Sequence, residues 1–290
     1  MRALSQARIE RPLPEAHGSS RHWFRSTSQD YWIYIITFVA CLGSLTAVLS
    51  RAWTRQPSVD EAWYAMPAWN LTLHGSTGNR MIEPSGSLSP GMDNNLLGIR
   101  EHTYLPPLTL PAQVIWYRLF GFGLFTLRLF SAAWGAVILA ACFFLVLALT
   151  GDKAVAMLSV SLVAIDSVFI PAASLGRMDT MSAALGFSGL ALYSSFRSQS
   201  LEFSILFSHL LIVASGLSHP NGGMLSFLGL AFLTWHFDRS RLQPAHIPLA
   251  GCAYLAGSLG WAFTFFRTPQ HSNVSSFRTS LGALEHGAPR

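Results

Sequence analysis

Asp60 and Glu61 are adjacent carboxylates at the start of a segment that reads as a helix, and a third acid, Asp179, follows Arg177 by two positions. A carboxylate can serve as a general base toward a hydroxyl, and an arginine fork can hold phosphate oxygens. Arg128 and Arg177 are the candidates for that second task, and His219, followed by Pro220, Asn221 and two glycines, is a further polar group at a turn. Each also has a plainer reading. Ser58-Val59-Asp60-Glu61 fits a capping box in which Glu61 is the capping acid, and Asp60 in a first turn complements the helix dipole. Arg128 opens an apolar run and can snorkel to an interface, while Arg177 and Asp179 can pair with each other. Asp166 is the single charge inside the run 154–176. An ionisable residue at membrane depth suggests function by default, although a polar cap facing water explains it as well. His209 and His236 have no acidic neighbour in sequence and are weaker candidates. No Asp-x-Asp motif occurs, and Cys41, Cys142 and Cys252 sit in apolar runs with no metal-binding or disulfide spacing.

The elements that must position these residues follow from composition. Asp, Glu, Lys and Arg make up 11% of the 290 residues, against roughly 25% in soluble domains. Hydrophobic residues make up 51%, and the mean hydropathy is +0.37. This argues against a soluble enzyme, a disordered chain and a nucleic-acid binder. The net charge of +5 then reads first as a topology signal. Residues 31–50, 129–151, 180–196, 203–237 and 242–266 carry no formal charge. A crossing helix needs about 20 mostly apolar residues. The expected fold is therefore an all-α polytopic bundle of about seven spans, near 32–50, 127–149, 154–173, 179–196, 203–217, 221–237 and 246–266.

Residues 1–30 read as a basic cytoplasmic tail, 31–266 as the membrane module and 267–290 as an outer tail. With the N-terminus inside, Lys153, Arg197, Arg239 and Arg241 fall on short inner loops, as the positive-inside rule asks. The long loop 51–125 falls outside, and its length implies structure or function. One helix should run from Ser58 to near Gly75, and a second should begin at Pro106-Pro107 and lie along the membrane surface. The polar positions Thr109, Gln113 and Tyr117 of that second segment recur every four residues. Reading it as an eighth span would move Lys153 outside and the Arg177–Asp179 loop inside. The seven-span topology gathers Asp60, Glu61, Tyr104, Arg128, Arg177, Asp179 and His219 on one side.

Asp60-Glu61 after the first span, Tyr104-Leu105-Pro106-Pro107-Leu108, Leu119-Phe120-Gly121 and Leu127-Arg128-Leu129-Phe130-Ser131-Ala132 together resemble the GT-C membrane glycosyltransferases. The closest group is the protein O-mannosyltransferase and aminoarabinose-transferase-like branch. Arg177–Asp179 and His219-Pro220 resemble that branch too, over about residues 32–237. Members are usually longer, so the resemblance implies an N-terminal module. It also implies a plasma- or inner-membrane enzyme that moves a monosaccharide from a polyprenyl-phosphate donor to a lipid, glycan or protein acceptor on the periplasmic or other extracytoplasmic face. The catalytic acids would be Asp60 and Asp179, with Glu61 the weaker candidate. Arg128, Arg177, His219, Tyr104 and His102 would contact phosphate or substrate. No cofactor is required; a divalent ion held by Asp60, Asp179 or His219 is compatible with the residues but not indicated by them.

The chemistry agrees with this reading. Transfer from a phosphate leaving group needs a base for the acceptor hydroxyl, a cation for the departing phosphate and an apolar groove for the lipid tail. Two rival readings are a transporter, toward which Asp166 and Pro171 in one span point, and a non-catalytic membrane scaffold.

Overall fold

The structure, a computed structural model, describes residues 28–75, 77–78 and 106–267. The described residues form ten helices and no strand: α1 (Ser28–Thr54), α2 (Val59–His74), α3 (Thr109–Phe120), α4 (Leu124–Thr150), α5 (Lys153–Ala164), α6 (Phe169–Ser174), α7 (Asp179–Phe196), α8 (Leu201–Ser218), α9 (Pro220–Asp238) and α10 (His246–Arg267). Three of them, α1 from Tyr31, α4 and α8, are long and apolar enough to cross a membrane.

The bundle is inside out relative to a soluble protein. Ser131, Ser161, Ser174, Ser182, Ser204, Ser208 and Ser215 are buried between helices, whereas Phe38, Leu225, Phe232 and Leu259 are more than half exposed. Small residues at helix interfaces and large apolar residues outside are what a lipid solvent selects. Two of these serines join α7 to α8: Ser182 Oγ donates to the Ser215 carbonyl at 2.8 Å, and Ser215 Oγ donates back to the Ser182 carbonyl at 2.7 Å. α7 lies between α4 and α8, α9 packs on α7 and α8, α10 packs on α8, and α1 packs on α5. Gly223 sets the approach of α9 to α8, since a Cβ there would collide with the backbone of Gly216.

The run expected to form one span over 154–173 is two helices. α5 stops at Ala164, and Asp166 Oδ1 accepts the backbone N–H groups of Val168 and Phe169, both at 2.8 Å. An aspartate that bonds the amides beyond it competes with continuation of a helix, and Pro171 follows. Asp166 is exposed, so its role in the fold is to start α6. α7, α9 and α10, of 18, 19 and 22 residues, are long enough to span but carry more serine, glycine or histidine than α4.

Charged side chains collect at the two ends of α7. At its C-terminal end, Asp238 accepts from Tyr193 Oη at 2.8 Å, Arg197 at 3.0 Å and Arg241 at 2.8 Å. The α5 end that carries Lys153 adjoins the start of α1, with the ammonium 4.7 Å over the Tyr34 ring. At the N-terminal end of α7 meet the close of α1, the start of α2, the start of α4 and the close of α8. About 26 Å separates these ends at 1.5 Å per residue.

The glycine contact gives the first prediction. Gly223→Ala should lower the stability of detergent-solubilised protein by about 1–3 kcal/mol, the usual cost of overpacking. Gly43→Ala, where a new Cβ meets nothing, should not. Equal melting temperatures for the two variants would remove the close α8–α9 contact from the account.

Candidate functional site

The centre of the end at which α7 begins is a buried ion pair. Arg128, in the first turns of α4, is fully buried and uses all five of its N–H donors. Nε and Nη2 donate to Glu61 Oε1 and Oε2 at 2.7 and 2.8 Å. Nη1 donates to the carbonyls of Ala52 and Arg55, each at 2.8 Å, and Nη2 also donates to that of Gln56 at 3.1 Å. Those carbonyls belong to the last turn of α1 and the turn after it, where acceptors lack helical partners. Glu61 meanwhile caps α2: its Oε2 accepts from Ser58 N–H at 3.0 Å, and its own N–H donates to Ser58 Oγ at 3.3 Å. Glu61 Oε1 also accepts the Gly176 N–H at 3.0 Å, which ties in the loop between α6 and α7. Only glycine fits at 176, since a Cβ there would run into the Leu127 side chain.

Burial pushes the Glu61 carboxyl up, but the bonds from Arg128, Gly176 and Ser58 outweigh it and bring the pKa from 4.5 down to about 2. The expectation that Arg128 grips substrate phosphate is corrected here, because no donor of its guanidinium is left over and no surface of it is open. Glu61, with both oxygens occupied, is likewise a structural carboxylate.

Around this pair lies an exposed cluster. Arg177 stands between two carboxylates, with Nη1 at 3.3 Å from Asp60 Oδ2 and Nε at 2.8 Å from Asp179 Oδ2. His219 Nε2 lies 3.5 Å from Asp179 Oδ1. Asp60 and Asp179 are 58% and 43% exposed, so these pairs are solvated, and such pairs contribute only about 0–1 kcal/mol each. The Arg177 backbone is better fixed than its side chain: its carbonyl accepts from Ser131 Oγ on α4 at 3.1 Å and from Thr180 Oγ1 at 3.4 Å. The cluster therefore joins the start of α2, the loop before α7 and the residue between α8 and α9. Tyr104 and His102 lie outside the described residues. His209 is bonded to Tyr254 Oη at 2.9 Å, and His236 is stacked on Phe232. Neither belongs to the cluster.

α3 holds polar groups whose burial was not legible in the sequence. α3 packs on α2, and its first turn is fixed to the end of α8: Leu108 N–H donates to the Leu217 carbonyl and Thr109 Oγ1 to the Ser218 carbonyl, both at 3.2 Å. Its polar stripe points inward. Thr109, Gln113 and Tyr117 are at most 2% exposed, while Ile115 and Leu119 are 60% and 70% exposed. Among the described residues, both amide atoms of Gln113 and the hydroxyl of Tyr117 are buried without a hydrogen-bond partner. Burial alone raises the Tyr117 phenol above its ordinary value, so it stays protonated. The four-residue spacing was the signal; which way the stripe faced was not in it.

Among the described residues, no three of His, Cys, Asp and Glu gather closely enough to hold a metal ion. Comparison with known proteins finds no family pattern that matches the chain, no curated protein similar in sequence and no solved structure similar in fold.

The buried pair predicts a pH dependence. A carboxyl whose folded pKa is depressed contributes stability above its unfolded value and loses it as pH falls through the folded value. Glu61 should therefore stabilise the fold above pH 4.5 and cease to do so as pH drops toward about 2. Glu61→Gln leaves a buried guanidinium without its counter-charge and should cost about 3–5 kcal/mol at neutral pH. Its unfolding should vary less than that of wild type over the same acid window. Parallel melting curves for the two proteins at every pH would contradict this role.

Proposed function

We propose that the chain is a membrane glycosyltransferase that moves a monosaccharide from a polyprenyl-phosphate donor to an acceptor hydroxyl at the extracytoplasmic face. The observation that carries this reading is Arg177 held between Asp60 and Asp179 at one end of an apolar bundle. With Arg128 consumed, Arg177 is the open arginine of that cluster, and its contact with Asp60 is the looser of its two. A phosphate makes a better partner for a guanidinium than an exposed carboxylate does. The donor phosphate then takes the place of Asp60 on Arg177. Asp60, released, accepts the proton of the acceptor hydroxyl. The acceptor oxygen bonds to the anomeric carbon, the bond from that carbon to the phosphate oxygen breaks, and polyprenyl phosphate leaves with both electrons of that bond. Asp179 keeps Arg177 in place, and His219 borders the site.

An apolar groove supports the lipid part of this reading. It has a volume of about 380 Å³ and lies among α8, α9 and α10, lined by Ile212, Gly216, Leu217, Met224, Phe227 and Tyr254. Its α8 wall ends at Leu217, two residues before His219. The seven-span topology belongs to the same proposal. Lys153, Arg197 and Arg241 collect away from the Asp60 cluster, as basic residues on an inner face would. The short α5 and α6 would share one crossing, interrupted at Asp166.

Two measurements test the proposal. Reporter fusions at Asp152, Gln199 and Ser240 should all read cytoplasmic, and an outside signal at Asp152 would refute the topology. Asp60→Asn keeps shape and removes the base, and should cost about 10²–10⁴ in transfer rate with expression unchanged. Full transfer by this variant from a polyprenyl-phosphate sugar would end the assignment of Asp60. A wild-type protein that supports assembly of a membrane complex but transfers no sugar would establish a scaffold instead.

A further inference from the structure

Three polar atoms on α3 are buried without a partner among the described residues: Gln113 Nε2, Gln113 Oε1 and Tyr117 Oη. Leaving such an atom unpaired costs about 1–3 kcal/mol, and leucine or phenylalanine would fill the same space without that cost. Local rules are broken in this way mainly where function asks for it. The two residues are four apart on α3, so their side chains are neighbours on one helix face. That face packs toward α2 and α4, where Tyr117 touches the cluster of Ala65, Ala68 and Leu127. Leu127 precedes Arg128, and Ala65 lies one helical turn beyond Glu61 on α2, so the face adjoins the buried pair that fixes Asp60. At its other end the stripe begins with Thr109, bonded to the residue before His219. It runs about 12 Å from there to Tyr117 at 1.5 Å per residue.

The unused capacity is neutral. Gln113 offers two donors and an acceptor, and Tyr117 one of each. Neither side chain is charged, and the cations and carboxylates of the site lie in the neighbouring cluster. Such a set suits hydroxyl groups, which both donate and accept, and does not suit phosphate.

We propose that Gln113 and Tyr117 form a hydroxyl-recognition subsite between α2 and α3, in which an uncharged, hydroxyl-bearing part of the ligand takes the hydrogen bonds that these side chains lack. Under the glycosyl-transfer reading, on which this identity rests, that part is the sugar ring, with its phosphate at Arg177. Thr109, already bonded to α8, fixes the helix so that the subsite keeps its distance from the charged cluster.

The experiment uses the full chain in detergent with a panel of polyprenyl-phosphate hexoses and pentoses, and the variants Gln113→Met and Tyr117→Phe, which keep shape and remove the polar atoms. Without donor, both variants should melt at or above the wild-type temperature, because unpaired polar atoms have been removed. With the donor that wild type transfers, KM should rise about 3- to 10-fold for each variant, the equivalent of one neutral hydrogen bond, with kcat within about 2-fold. Wild type should also prefer that donor to its deoxy analogue, and the double variant should lose the preference. Unchanged KM with a raised melting temperature would reduce the atoms to a packing defect and overturn the inference. Unchanged KM with a lowered melting temperature would assign them to an internal water and overturn it equally. In both of those cases wild-type transfer, lost in Asp60→Asn, leaves the enzyme reading standing. Absence of any binding or transfer by wild type across the panel would overturn the two together.

Discussion

The guanidinium–carboxylate contact between Arg128 and Glu61 is the constraint on which the end of the molecule where α7 begins depends. It closes α1 by bonding carbonyls that the helix cannot satisfy, opens α2 through the capping box, and holds the loop before α7 through Gly176. Three chain segments distant in sequence, at residues 52–61, 128 and 176, are thereby fixed by two side chains. A buried pair is not in itself a source of net stability, since desolvation offsets most of the attraction. Its effect here is geometric. Asp60 is the residue before Glu61, and Arg177 is the residue after Gly176, so the two halves of the exposed cluster are each one residue from the same carboxylate. The buried members fix position, and the exposed members remain free to exchange partners.

The rest of the bundle holds that arrangement in a solvent of low polarity. Serines and glycines between helices let backbones approach and satisfy one another's carbonyls, as Ser182 and Ser215 do. Large apolar side chains face outward. Each buried carboxylate, Glu61 at one end of α7 and Asp238 at the other, is met by arginine. α3 departs from this scheme. It turns its apolar side outward and its polar side to the protein, which brings polar side chains into the interior near the ion pair.

Much of this was legible in the sequence because it depends on local chemistry. Uncharged runs, the Ser58 capping box and the glycine-rich turn at His219 each mark an element by rules that operate over a few residues. The gathering of Asp60, Arg177, Asp179 and His219 could be read one step further, from helix count and charge placement. What was not legible depends on partners distant in the chain. Arg128 looks the same in sequence whether it snorkels, binds phosphate or closes α1, and only the convergence of Ala52, Arg55, Gln56 and Glu61 decides. Asp166 has a local effect, but its competition with an apolar helix does not show in hydropathy. The stripe on α3 was visible as a period, and its direction was set by α2 and α8.

The order in which those partners leave the ribosome has a consequence for biogenesis. Glu61 and the carbonyls of α1 precede Arg128 in the chain, so when α4 is synthesised the most buried arginine meets acceptors that already exist. Arg197 has no such advantage, because Asp238 is made a full helical hairpin later. In order of synthesis, then, the arginine near the start of α7 finds its acceptors at once, and the arginine at its close waits for α9 to supply Asp238.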